Sequence, residues 1–139
     1  MSQRVWFITG SSVGLGRALT ETVLARGERA VVTARTPERV RDLIERYPAQ
    51  ALVLELDVTR PDQVRRVARE AIERFGHIDV LVNMDGDSEA LLQEIAPRGI
   101  TVITIEPGKR NGHPPNDPAA AADGIIAAVD ADSVKSSTQ

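Results

Sequence analysis

No cysteine occurs in the 139 residues, which excludes disulfides, thiolate nucleophiles and cysteine-ligated metals. With only two histidines, His77 and His113, a histidine-rich metal cluster is excluded as well. Long apolar runs are missing too; none approaches the roughly 20 residues that cross a bilayer. The N-terminal stretch MSQRVWFITG lacks the basic region, apolar stretch and small-residue cleavage site of a signal peptide. Neither sign of charge dominates: 17 basic and 20 acidic residues give a net charge of -3, mixed along the chain rather than gathered in blocks. A nucleic-acid partner, which calls for a basic face, is therefore not expected. What is present, 42% hydrophobic and 27% charged residues, is the composition of an ordinary globular protein. The expectation is a soluble cytoplasmic protein without membrane or nucleic-acid partners. A single domain over residues 1–130 is expected, with a frayed tail over 131–139.

Short apolar runs alternate with amphipathic stretches. Val5–Ile8, Ala30–Ala34, Ala51–Leu56, Ile78–Val82 and Ile100–Ile105 read as strands. Helical spacing appears from Gly14 to Arg26, from Pro37 to the residues before Pro48, and from Pro61 to Gly76. Two more helices are expected, roughly Ser88 to Ala96 and from Asp117-Pro118 to about Val129. Thr36 with Pro37 makes a helix start, and Gly27 and Gly76 make stops. Strands apolar on both faces, separated by helices, predict an α/β fold with a parallel sheet covered on both sides.

Between the first strand and the first helix lies Thr9-Gly10-Ser11-Ser12-Val13-Gly14-Leu15-Gly16. Glycine here permits a tight turn, close approach of the backbone to a pyrophosphate, and close helix–strand packing. The helix N-terminus adds unpaired N–H groups and partial positive charge for the phosphates. A glycine-rich string alone is a weak signal, but its strand–turn–helix setting is the context that a dinucleotide site requires. No Gly-Lys-Ser/Thr follows, so a Walker loop is excluded, and Arg17 is expected to face solvent. The second strand ends Thr33-Ala34-Arg35-Thr36, with arginine where an NAD site would carry an acid for the ribose 2′-OH. A guanidinium there favours a 2′-phosphate, and Ser12 could add a hydroxyl to it. NADP(H) is the expected cofactor.

These residues resemble the short-chain dehydrogenase/reductase family. Thr9 to Gly16 looks like its TGxxxGxG turn, and Leu56-Asp57-Val58-Thr59 like its adenine contact, which implies the Asp57 side chain and Val58 backbone as partners. Gly76 to Asn83 resembles the run into its NNAG motif, although Met84 and Asp85 replace the middle of that motif. Ser88 to Leu91 and Ile105-Glu106-Pro107-Gly108 resemble its later helix and PG turn. The resemblance implies a Rossmann-like, doubly wound parallel sheet of about five strands in the order 3-2-1-4-5, in three α/β/α layers. The implied cofactor residues are Gly10, Ser12, Gly14, Leu15, Gly16, Arg35, Asp57, Val58, Asn83, Pro107 and Gly108.

The family's catalytic serine and Tyr-x-x-x-Lys would fall between Gly86 and Ser88, and that segment is absent. The one tyrosine, Tyr47, ends the second helix on the wrong side of the sheet, and the lysines, Lys109 and Lys135, lie in a loop and the tail. No catalytic residue is assigned. The family-implied activity is hydride transfer between NADP(H) and a small carbonyl or alcohol. Its alternatives are a non-catalytic NADP(H)-binding pseudoenzyme or minimal Rossmann core, and an interaction partner of a full-length relative. The family's dimer helices are missing or shortened, which leaves the oligomeric state open. Other features have plainer readings: His77 and His113 as solvated turn residues, Asp85 and Asp87 as helix caps, Arg65, Arg66, Arg69 and Arg74 as a solvated face, and Trp6 as core.

Overall fold

A computed structural model describes residues 4–10, 14–84, 89–95, 100–104 and 118–137. The strands are β1 (Val5–Ile8), β2 (Arg29–Ala34), β3 (Ala51–Glu55), β4 (Val80–Asn83) and β5 (Thr101–Thr104). The helices are α1 (Gly14–Ala25), α2 (Arg41–Arg46), α3 (Pro61–Phe75), α4 (Glu89–Ile95) and α5 (Pro118–Ser137). All strand pairings are parallel, and the sheet runs β3-β2-β1-β4-β5, as the resemblance implied.

Alternation along β1 shows how the layers form. Trp6 and Ile8 point into one apolar cluster with Leu19, Val23 and Leu24 of α1, Leu43 of α2, and Ala122, Ile126 and Val129 of α5. Val5 and Phe7 point into the other, with Val64, Val67, Ala68, Ala71 and Phe75 of α3 and Leu91 and Ile95 of α4. The central strands are therefore apolar on both faces and buried along their length. On α3 the buried positions follow the helical repeat, while Arg65, Arg66, Arg69 and Arg74 face solvent as expected. Arg74 also lies over the Phe75 ring, 4.8 Å from its centroid. Gly76, at φ 88°, closes α3 in the left-handed conformation that glycine adopts without strain. No helix among the described residues is long and apolar enough to cross a membrane.

Two boundaries differ by more than two residues from the sequence expectation. The helix expected from Pro37 begins instead as a 3₁₀ turn (Pro37–Val40), and Thr36 makes no side-chain cap bond. Val40 is fully buried at φ -120°, so drawing it into the core interrupts the helical path, and α2 proper starts at Arg41. At the other end, α5 runs to Ser137, past Val129 and through most of the stretch expected to fray. No glycine or proline follows Val129 to stop it. Asp130 ties α5 down: its carboxylate accepts hydrogen bonds from Arg4 at 2.5 Å and Arg26 at 3.2 Å.

Candidate cofactor site

Parallel order brings the C-terminal ends of β1 to β4 to one edge, and of the residues singled out in the sequence Gly10, Gly14, Leu15, Gly16, Arg35, Asp57, Val58 and Asn83 stand at or shortly after those strand ends. Gly10 and Gly14 have φ of 65° and 57°, in the left-handed region where an L-side chain is strained. No described atom lies within 4 Å of a Cβ built on Gly14, so backbone conformation rather than crowding calls for glycine there. Gly14 opens α1, whose first N–H groups have no intrahelical acceptor. Gly16 is buried, and its carbonyl accepts a 2.8 Å bond from the Thr20 hydroxyl. Leu15 packs on the cluster beneath α1. Ser12, Pro107 and Gly108 lie outside the described residues, as do Asp85, Asp87 and His113.

Thr9 anchors the turn to the centre of the sheet. Its N–H donates to the Val82 carbonyl at 3.1 Å, its hydroxyl donates to Asn83 Oδ1 at 3.3 Å, and the same oxygen accepts the Met84 N–H at 2.9 Å. Thr9 and Asn83 are both buried, so this polar joint is shielded from water. Thr33 makes the matching joint on the other side, its hydroxyl donating to the Ile8 carbonyl at 2.9 Å. Neither threonine was singled out for these contacts in the sequence; a threonine closing a buried strand is the only local signal.

At the end of β2, Arg35 stands 73% exposed, and its closest ion-pair contact is 4.0 Å, to Asp57 Oδ1. That exposure leaves the guanidinium available to an outside anion. Asp57 itself is held in a tight local turn: its Oδ1 accepts from the Thr59 hydroxyl at 2.6 Å and the Thr59 N–H at 3.0 Å. The bond from the Thr59 hydroxyl, then that from its N–H, holds the Asp57 carboxyl below the ordinary range, and the Arg35 charge adds to them. A carboxylate kept ionised is an acceptor for an exocyclic amino group. Val58 turns its side chain into the cluster under α3, leaving its backbone for any contact at the edge.

Arg17 departs from expectation. Instead of standing free in solvent, it donates from Nε to Glu21 at 3.1 Å, from Nη1 to the Arg39 carbonyl at 3.0 Å, and from Nη2 to Asp42. The Asp42 bond raises the Arg17 pKa and lowers that of Asp42. The pairing with Glu21 has helical i,i+4 spacing and was open to sequence reading; the pairing with Asp42 depends on how α2 docks. Tyr47 lies at the opposite edge, as expected: it ends α2, and its carbonyl accepts the N–H of Ala51, the first residue of β3.

Residues 4–88 match the family described as short chain dehydrogenase. The chain belongs to that family. An oxidoreductase of Botryotinia fuckeliana is 40% identical over 84 residues, covering 60% of this chain and 31% of that protein. The chain thus spans about a third of the length of the curated relatives it matches. Among solved structures, a short-chain dehydrogenase from Streptomyces avermitilis is similar with a TM-score of 0.68 at 31% identity, over 74% of this chain and 49% of that one. L-Sorbose reductase from Gluconobacter frateurii, solved with NADPH and L-sorbose, is similar with a TM-score of 0.65 at 27% identity, over 75% of this chain and 52% of that one. The short-chain dehydrogenase match ends at residue 88, the position at which the resemblance puts the missing Tyr-x-x-x-Lys segment.

Proposed function

We propose that this short-chain dehydrogenase binds NADP(H) at the C-terminal edge of β1 to β4 and that its chemistry is hydride transfer between that cofactor and a small carbonyl or alcohol. The observation that carries the reading is the pair of left-handed glycines, Gly10 and Gly14, opening α1, with the exposed Arg35 at the neighbouring strand end. The residues fit the ligand by their donor chemistry. The N–H groups opening α1 suit a pyrophosphate, Arg35 suits a 2′-phosphate, and the ionised Asp57 suits the adenine amino group. Asn83, held by Thr9, stands at the end of β4 on the side where the nicotinamide half would lie. Ser12, Pro107 and Gly108 are proposed to complete the site.

When bound, the nicotinamide supplies the hydride carrier. The chain must then manage the accompanying proton, and its one tyrosine is at the wrong edge for that. Without a positioned acid–base group, turnover is expected about 10²–10⁴ slower than in a family member that has one. The lack of cysteine suits a reducing cytoplasmic setting, which is the proposed location.

Two measurements on one sample test the reading. Calorimetric titration should give tighter binding of NADPH than of NADH, and a panel of small carbonyls should show slow loss of NADPH absorbance. Equal or tighter binding of NADH would overturn the cofactor assignment, and no turnover on any carbonyl or alcohol would overturn the hydride-transfer reading.

A further inference from the structure

We infer that Arg17 is a positioning residue that sets the preference for NADP(H) over NAD(H) without touching the cofactor, an inference that rests on the cofactor reading above. Arg17 directly follows Gly16 in α1, the helix whose N-terminus would take the pyrophosphate. Its guanidinium leaves that helix and grips the segment next to the 2′-phosphate residue. Nη1 holds the Arg39 carbonyl in the 3₁₀ turn at 3.0 Å, and Nη2 holds Asp42 in α2. Glu21, 3.1 Å from Nε and also 3.9 Å from Arg46 Nη1, fixes the guanidinium from behind.

Arg35 depends on that grip because little else holds it. It is 73% exposed, and its Asp57 contact is long at 4.0 Å. Arg35 and Thr36 form the whole link between the end of β2 and the 3₁₀ turn at Pro37. Pairing of Ala34 with Glu55 fixes one end of the link. Burial of Val40 and the bond from Arg17 to the Arg39 carbonyl fix the other. Thr36 supplies no side-chain cap to fix it locally. A single guanidinium thus spans the helix that would receive the pyrophosphate and the link that carries Arg35. In NADPH the two anionic groups are separated by one nucleoside, so the span matters to it. NADH has no second anion, so the same span is indifferent to it.

The test uses the whole chain, with NADPH and NADH as the titrants and thermal melting to establish that each variant is folded. Arg17→Met should raise the NADPH Kd roughly three- to thirty-fold and the NADH Kd by less than about two-fold. Arg17→Lys keeps the charge but cannot hold both partners in one planar fork, and should fall between. Asp42→Asn leaves Arg17 in place, weakens its grip, and should lower the NADPH preference in the same direction. Equal losses of both cofactors in Arg17→Met would show a general role in folding α1 and overturn the inference. Tighter NADPH binding in Asp42→Asn would mean that a released Arg17 contacts the phosphate directly, which also overturns it. Should Arg17→Met not fold, Asp42→Asn decides, and an unchanged cofactor ratio refutes the inference. A wild-type chain without NADPH preference would sink the cofactor reading first, and this inference with it; a preference that survives every variant sinks this inference alone.

Discussion

Replacing Thr9 with valine keeps the shape of the side chain and removes its oxygen, which isolates the joint between β1 and β4. Thr9 is 1% exposed, and its hydroxyl serves both Asn83 Oδ1 at 3.3 Å and the Met84 N–H at 2.9 Å. Leaving the Met84 N–H without that acceptor costs about 1–3 kcal/mol, and losing the longer bond to Asn83 costs about 0.5–1.5 kcal/mol. Thr9→Val should therefore destabilise the fold by about 1.5–4.5 kcal/mol. For a chain of 139 residues, 1 kcal/mol corresponds to a Tm shift of about 3 °C, so the drop should be roughly 4–14 °C. Thr9→Ser is the control, since it keeps the hydroxyl and loses one methyl, at about 1 kcal/mol. Urea and thermal unfolding of both variants read the difference. Should Thr9→Ser prove as destabilising as Thr9→Val, methyl packing rather than the polar joint would be holding the strands, and the reasoning would be refuted.

Three further outcomes are expected. Arg35→Ser should weaken NADPH binding about 10- to 100-fold, the value of one or more charge-assisted bonds, and leave NADH binding nearly unchanged; a parallel loss of both would remove Arg35 from the 2′-phosphate site. Gly14→Ala should cost about 1–2 kcal/mol in urea unfolding, because a Cβ is strained at φ 57° even though nothing crowds it; a stabilised variant would contradict the turn geometry. Acid should weaken the fold through Asp42 and Asp130. Each has its pKa lowered, chiefly by the hydrogen bond from Arg17 or Arg4 respectively. A lowered folded-state pKa means that the contribution is complete above the ordinary carboxylate value of about 4 and is lost as pH falls through the lower folded value. Asp130→Asn should lower the urea midpoint at neutral pH and flatten its fall in acid. The effect should be modest and salt-sensitive, since Asp130 is 42% exposed; an unchanged acid limb would exclude this carboxylate.

Much of this was legible in the sequence because local structure is written in short-range patterns. The alternation in Val5–Ile8, the helical spacing of Val64, Val67, Ala68 and Ala71, and the glycines at 10, 14 and 76 each act within a few residues of themselves. Burial and backbone strain then enforce them in place. The place of Arg35 directly after a strand end was legible for the same reason, and its proposed role rests on that place. The sheet order needed the family resemblance, because short crossovers narrow the topologies without choosing among them.

Tertiary structure decided what links distant parts of the chain. Thr9 and Asn83 are 74 residues apart, Arg17 and Asp42 25, and Arg26 and Asp130 104. No periodicity spans such distances; the partners are chosen when strands take their order and helices settle on the faces between them. Burial of Val40 similarly turned a proline-led helix start into a 3₁₀ turn, because core packing outweighs local propensity. By itself the sequence determined which segments are strands and helices and where glycine must stand, since those depend on neighbours along the chain. The fold alone determined that Arg17 is a clamp and Thr9 a joint, since a hydrogen bond depends on neighbours in space.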